Sequence, residues 1–267
     1  MRNLKELMSL AGRTALITGG GGHIGRAAAE ALGELGAALV LVDREIGSAE
    51  KAATEMASRF GTMTRAVTVD LASEEAIRAL PEAVLSESAG VDILVHSAAY
   101  TGASNIPGWG VPFAEQSCAA WEEAIRVNLT SAFVLTQAFA SQLARSGNGS
   151  VVLIGSIYGE VAPDFSLYEG TAMANPAAYG ASKGGLLQLG RYLAAVLAPQ
   201  VRCNVLSPGG VWRGQDKRFV SRYEARTPLQ RMAREEDMKG AIAYLCSDMS
   251  AYVTGQQLLV DGGWTAW

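Results

Sequence analysis

Two patterns of apolar and polar positions alternate along this chain. One is a short apolar run: Arg13 to Thr18 (RTALIT), Ala38 to Val42 (ALVLV), Val91 to His96 (VDILVH), Ser150 to Gly155 (SVVLIG), Val201 to Leu206 and Gln257 to Val260, with Thr64 to Val69 alternating instead. The other is a longer stretch with apolar residues at helical spacing: from Ile24 onward, Ile46 to Phe60, Ser73 to about Ser88, a long segment from Ser117 to Arg145, Pro176 to Ala198, and Glu235 to Cys246. Ser73 is placed to cap its helix, and Glu74 and Glu75 suit the positive N-terminal dipole. Strands that are apolar throughout are covered on both faces, and regular strand–helix alternation predicts a parallel sheet. The expected fold is α/β: a single doubly wound domain over residues 1–267, with about seven parallel strands flanked by helices on both faces. No repeat or low-complexity linker divides the chain.

Composition narrows the chemistry. With 267 residues, 49% hydrophobic and 18% charged, the chain can bury a full core. A net charge of -4 and a pI near 5.4 argue against a nucleic-acid partner. Cys118, Cys203 and Cys246 are far apart and lack metal-knuckle spacing, so they read as buried free thiols in a reducing compartment, with no metal site. The N-terminal MRNLKELMSLAGR carries charges inside its short apolar run and does not read as a secretory signal; no apolar segment approaches the ~20 residues of a membrane span. A cytoplasmic protein is expected.

Thr18 to Gly25, TGGGGHIG, falls in the first strand-to-helix turn, the usual phosphate site of such a sheet. Glycines there let a pyrophosphate approach the N–H groups of a helix N-terminus with no Cβ in the way. Asp43 follows Gly25 by 18 residues and ends the second strand, where an acid accepts hydrogen bonds from adenosine ribose hydroxyls and repels a 2'-phosphate. That favours NAD(H) over NADP(H), with the adjacent Arg44 keeping the phosphorylated form open. Asp70, before Leu71, ends the third strand and is placed for the adenine amino group. Both acids also fit as solvated turn residues. His23 belongs at the phosphate end, its ring pointing away from the pyrophosphate or donating to it, and is a poor candidate for a general base.

Tyr179-Gly-Ala-Ser-Lys183 opens a predicted helix, and i to i+4 spacing puts Tyr179 and Lys183 on one face. A phenol near pKa ~10 needs a neighbouring positive charge to work as an acid or base at neutral pH.

Together these residues resemble the short-chain dehydrogenase/reductase family. Its glycine fingerprint TGxxxGxG is met by Thr18, Gly19 and Gly25, with His23 in place of the middle glycine; Gly20, Gly22 and Gly25 fit the broader GxGxxG spacing. Asn128, Ser156, Tyr179 and Lys183 match, in order, the family's catalytic tetrad. The resemblance continues through Asp92, through His96-Ser-Ala-Ala99 where the family has NNAG, and through Ser207-Pro-Gly209 and Val260-Asp-Gly-Gly263. It implies hydride transfer between a nicotinamide and a secondary alcohol or ketone. Tyr179 would exchange the proton, Ser156 polarise the substrate oxygen, Lys183 hold the nicotinamide ribose and lower the tyrosine pKa, and Asn128 support a water relay. The implied cofactor contacts are Gly19, Gly22, His23, Ile24, Gly25, Asp43, Asp70, Leu71, Ala98, Tyr179, Lys183, Pro208, Gly209 and Val211.

The resemblance also implies a substrate loop at about 100–116 and a lid at about 208–230. Tyr179 follows Ser156 by 23 residues, longer than is typical of the family, so an extra loop at about 157–175 is expected over the active site. Arg213 stands where the family often has a threonine that reaches the carboxamide. With Lys217, Arg218, Arg222 and Arg226 it forms a basic cluster suited to phosphate or carboxylate, or equally a solvated helical face paired with Asp216 and Glu224. Asp164, Tyr168, Glu169 and Asn175 suit a hydroxylated ring. SIYG, PDFSLYEG, NPAAYGASKGG and VDGGWTAW are similar to members associated with bacterial surface-sugar and flagellin-glycan biosynthesis, which implies a sugar or amino-sugar substrate. A 3-oxoacyl reductase, a general alcohol dehydrogenase, and a noncatalytic nucleotide-binding protein remain as alternatives. The expected partners are a small-molecule substrate and other copies of the chain, as a tetramer or dimer, with Trp264 and Trp267 as a local cap or interface anchor; neither nucleic acid nor membrane is expected.

Overall fold

Thr14–Thr18 (β1) is buried at all five positions, which suits a strand at the centre of a sheet. The computed structural model describes residues 1–86, 88, 90–101 and 106–267, and places β1 between Ala38–Asp43 (β2) and Ile93–His96 (β4). Thr64–Thr68 (β3) lies outside β2, while Gly149–Ile154 (β5), Val201–Pro208 (β6) and Gln257–Val260 (β7) follow β4 in turn. All pairings are parallel, and the order β3-β2-β1-β4-β5-β6-β7 reverses direction between β1 and β4. The expected single Rossmann-like domain with seven parallel strands is what forms. Positions 102–105 of the expected substrate loop lie outside the described residues.

Side chains alternate across the sheet, giving it two cores. Leu16, Val40, Leu94, Val151 and Val205 face one way, against Glu74–Leu85 (α4), Ser131–Arg145 (α6) and Ala177–Val196 (α7). Ile17, Leu39, Leu41, Val95, Val152 and Leu206 face the other way, against His23–Glu34 (α2), Ile46–Phe60 (α3) and Glu236–Cys246 (α9). Burying both faces in this way is why the strands read as continuous apolar runs.

Three local features depart from the expected pattern. The long helical segment divides into Cys118–Ile125 (α5), a π-helical turn Arg126–Thr130 and α6. A short helix Leu4–Met8 (α1) forms where no element was expected, while Lys217–Arg226 (α8) takes the helical form open to the basic cluster and buries Phe219 and Tyr223. Cys203 and Cys246 are buried, their thiols pushed up to about 12 by burial, but Cys118 is exposed, because it begins a helix at the surface.

Candidate active site

The reversal of strand order leaves a crevice beyond the carboxyl ends of β1 and β4, where open α/β sheets bind ligands. Thr18 ends β1, and its hydroxyl accepts the N–H groups of Ser97 and Ala98, each at 3.2 Å, which fixes the loop after β4. From this point runs a cleft of about 470 Å³, lined at one end by Asp43, Asp70 and Leu71 and at the other by Ser156, Tyr179, Lys183 and Arg213. All fourteen residues implied as cofactor contacts line it, including Pro208, Gly209 and Val211 after β6.

The glycine loop packs against itself. Gly19 sits at φ +65°, and a Cβ on Gly25 would lie 2.0 Å from the Gly19 carbonyl oxygen, so neither position tolerates a side chain. α2 starts at His23 with no side-chain cap on its first N–H groups, and His23, Ile24 and Gly25 line the cleft. Uncapped N–H groups at a helix N-terminus suit a phosphate. The His23 ring is taken up elsewhere: its Nδ1 lies 2.7 Å from the Glu235 carboxylate, just ahead of α9. Asp43 accepts the N–H of Gly21 at 3.0 Å and that of Glu45 at 3.2 Å, so one carboxylate shapes the glycine loop and its own turn while facing the cleft. Asp70 likewise lines the cleft and accepts the Ala72 N–H at 2.9 Å. These residues fit a dinucleotide laid from Asp43 toward Tyr179.

The second cluster is assembled by three elements. Ser156 follows β5, with its hydroxyl accepting the Tyr158 N–H at 3.2 Å. α7 begins after Pro176, where Gln116 accepts the Ala177 N–H at 3.0 Å, and carries Tyr179 in its first turn. One turn on, Lys183 is buried in the protein, lines the cleft and donates to the Ile154 carbonyl at 2.7 Å. Burial lowers its ammonium to about 8. The Tyr179 phenol is held above its ordinary range by burial, against which the facing Ser156 hydroxyl and the Arg213 charge pull it down. The Lys183 Nζ stands 5.8 Å from the Tyr179 ring centroid.

Asn128 stands behind the cleft, in the π-helical turn. Its Oδ1 accepts the Tyr100 N–H at 2.6 Å and its Nδ2 donates to Ser182 at 3.0 Å; Ser182 in turn donates to the Tyr179 carbonyl at 2.8 Å. Both ends of this carboxamide therefore tie the loop after β4 to α7. Linked to the same π-helical turn through Ser131 is His96, which in the sequence stands out only as a departure from a motif. It is buried, and desolvation together with the Lys183 charge lowers its imidazole to about 3, so the ring is neutral. Gln116 and Tyr158 carry no local sequence signal, because their roles depend on contacts 61 and 10 residues away along the chain.

The loop at 157–175 and α8 form a small satellite core of Ile157, Leu167, Phe219, Tyr223, Met232 and Trp264. Trp264 stacks on Tyr223 with ring centroids 4.4 Å apart, and Trp267, though exposed, donates its indole N–H to the Arg226 carbonyl at 3.2 Å. The polar residues expected to meet substrate are mostly spent on this packing. Asp164 pairs with Arg226 at 2.7 Å, while Asn175 donates to the Tyr168 hydroxyl at 3.2 Å, which lies 3.1 Å from that of Tyr158. Ile157, Tyr158 and Met173 of this loop line the cleft; Asp164, Tyr168, Glu169 and Asn175 do not.

Comparison with known proteins agrees with this geometry. A family model described as enoyl-(acyl carrier protein) reductase matches residues 21–265. The chain is 30% identical over 261 residues to the 3-oxoacyl-(acyl-carrier-protein) reductase FabG of Aquifex aeolicus, covering 96% of this chain and 98% of that one. It is 31% identical over 265 residues to a probable galactose dehydrogenase, GalD, of Rhizobium meliloti, covering 97% of each. Among solved structures, a gluconate 5-dehydrogenase from Burkholderia cenocepacia, in complex with NADP and tartrate, superposes with a TM-score of 0.86 at 29% identity, covering 99% of this chain and 100% of that one. A crevice at the strand-order reversal with uncapped helix N–H groups at one end and a Ser–Tyr–Lys cluster at the other, in a chain matched over its whole length by such enzymes, establishes that this protein is a member of the short-chain dehydrogenase/reductase family.

Proposed function

We propose that this oxidoreductase interconverts a secondary alcohol and a ketone on a sugar or amino-sugar derivative, using NAD(H). The observation that carries the reading is the placing of Ser156, Tyr179 and Lys183 at one end of the cleft whose other end holds Asp43. The nicotinamide, when bound, supplies the hydride acceptor or donor. Gly22 to Gly25 receive the pyrophosphate at the start of α2, and Asp43 and Asp70 hold the adenosine end. Ser156 orients the substrate oxygen, and Tyr179 takes its proton in oxidation and returns it in reduction. Lys183 holds the ribose and, as a buried cation, steadies the tyrosinate. Asn128 keeps α7 in register with the loop after β4, and a relay through it uses its main chain, since its carboxamide is engaged at both ends.

NAD(H) is favoured over NADP(H) because a carboxylate at the end of β2 meets the ribose, although the gluconate 5-dehydrogenase cited above carries NADP. Relatives acting on galactose and gluconate support the sugar reading. A 3-oxoacyl reductase is the second reading, favoured by the Aquifex relative and by the apolar Ile157, Met173, Phe219 and Met232 along the cleft. The loop at 157–175 and the lid at 208–230 select between such substrates. Self-association as a tetramer or dimer belongs to the same proposal, with Trp267 as an exposed anchor.

Parallel titration with NADH and NADPH, followed by tryptophan quenching, tests the cofactor: NADH binding at least about tenfold tighter is expected. A screen of sugar alcohols, sugar acids and acetoacetyl thioesters then tests the substrate, with Tyr179→Phe as the inactive control. Turnover of thioesters far above sugars would replace the sugar reading, and full activity of Tyr179→Phe would overturn the mechanism.

A further inference from the structure

The basic cluster around the lid divides into two kinds of residue. Arg218 pairs with Asp216 at 3.0 Å, Arg226 pairs with Asp164 at 2.7 Å, and Arg222 donates to the main-chain oxygens of Ser166, Leu167 and Glu169 at 3.1, 3.3 and 2.7 Å. Arg222 and Arg226 thus fasten α8 to the loop at 157–175, Arg218 is satisfied within its own turn, and Lys217, exposed at the start of α8, does not line the cleft. Arg213 is different. It precedes α8, lines the cleft together with Tyr179, and its guanidinium makes no hydrogen bond or ion pair among the described residues. The acid whose carboxyl it influences, Glu235, is already engaged by His23 at 2.7 Å.

Charge along the cleft is unevenly distributed. The carboxylates that line it, Asp43 and Asp70, are at the adenosine end. Around Tyr179 the lining is Ile157, Tyr158, Met173, Phe219 and Met232, with Lys183, whose ammonium is engaged by the Ile154 carbonyl. An unpaired guanidinium above an aromatic and aliphatic wall is a receptor for an oxyanion, which it grips with two parallel N–H donors. We infer that Arg213 anchors a carboxylate or phosphate carried by the substrate, so that the alcohol oxidised belongs to an acidic or phosphorylated polyol rather than a neutral one. The inference rests on the dehydrogenase reading above and narrows its substrate. The aromatic walls cover the C–H faces of such a carbon chain, while the anion fixes which carbinol carbon faces the nicotinamide.

The test uses three compounds with one carbon skeleton and different terminal groups: D-glucitol, D-gluconate and D-glucitol 6-phosphate. Each is titrated calorimetrically into the NADH complex of the wild type, Arg213→Met and Arg213→Lys, after NADH affinity has been measured for all three proteins. At least one charged compound should bind the wild type about tenfold or more tighter than glucitol, as a charge-assisted pair implies. Arg213→Met should erase that preference at unchanged NADH affinity, and Arg213→Lys should restore part of it. Tighter gluconate identifies a carboxylate, tighter glucitol phosphate a phosphate. Equal binding of all three by the wild type, or a preference that survives in Arg213→Met, overturns the anion site alone. Weaker NADH binding by Arg213→Met assigns the arginine to the dinucleotide and also overturns it. Failure of the wild type to bind either nicotinamide overturns the dehydrogenase reading itself, and this inference with it.

Discussion

The Nε2 of His96 lies 2.8 Å from the Ser131 hydroxyl, and that hydroxyl donates to the Val127 carbonyl at 2.6 Å. Because Ser131 has one proton to give, the imidazole must be the donor to it, which fixes the Nε2–H tautomer. The result is a buried link from the end of β4 to the π-helical turn that holds Asn128. A π turn breaks the regular helical ladder and is often found at functional sites.

This link predicts an acid-sensitive fold. The unfolded imidazole titrates near ~6.5, whereas burial lowers it to about 3 in the folded protein. The unfolded state therefore binds more protons as the pH falls. The contribution is intact above ~6.5 and lost progressively toward 3, by about 1.4 kcal/mol per pH unit. Urea unfolding of wild type and His96→Asn between pH 7 and 4.5 measures it, and the variant should show the shallower dependence. Identical slopes would mean that another group controls acid unfolding.

Asn128 gives a prediction on geometry. Asn128→Ala leaves the buried Tyr100 N–H without an acceptor, at a cost of about 1–3 kcal/mol, and frees Ser182 beneath Tyr179. The expected outcome is a lower Tm together with a fall in kcat that exceeds any change in NADH affinity. A variant with lower stability and unaltered kcat would reduce Asn128 to a packing role.

Asp43 tests the cofactor. Asp43→Ser removes the charge at the end of β2, so the ratio of NADH to NADPH affinity should fall by about tenfold or more. The Gly21 N–H also loses its acceptor, so some NADH affinity is lost irrespective of the ribose. Equal losses for both cofactors would show that the carboxylate serves the loop and not the ribose.

His23 leads to a smaller expectation. Its side chain is about half exposed and paired with Glu235, and such pairs contribute roughly 0–1 kcal/mol. His23→Gly, which restores the family's glycine, should change NADH affinity by less than about threefold, because the ring points to Glu235. A large gain in affinity would mean that the ring obstructs the phosphate.

Much of this protein was legible from the one-dimensional pattern. Six apolar segments and one alternating segment, Thr64 to Val69, determined the strands and the parallel sheet, because a strand covered on both faces has no polar side to show. Ile46–Phe60 and Gln257–Val260 have the boundaries that periodicity indicates. The glycines before α2 and the Tyr179–Lys183 spacing are local signals, since a turn with positive φ and a one-turn helical pair need only neighbouring residues. What the sequence could not determine are pairings between distant segments. The polar residues of the loop at 157–175 read as substrate contacts, yet Arg222 and Arg226, some sixty positions onward, take up that loop. His96 read as a degraded motif until β4 and α6 were brought together around it. Arg213 was one of five basic residues in a cluster, and tertiary contacts left it alone facing the cleft. Composition determines which charges exist, but the packing of elements remote in sequence decides which are neutralised, because a salt bridge forms between whichever partners folding brings within reach.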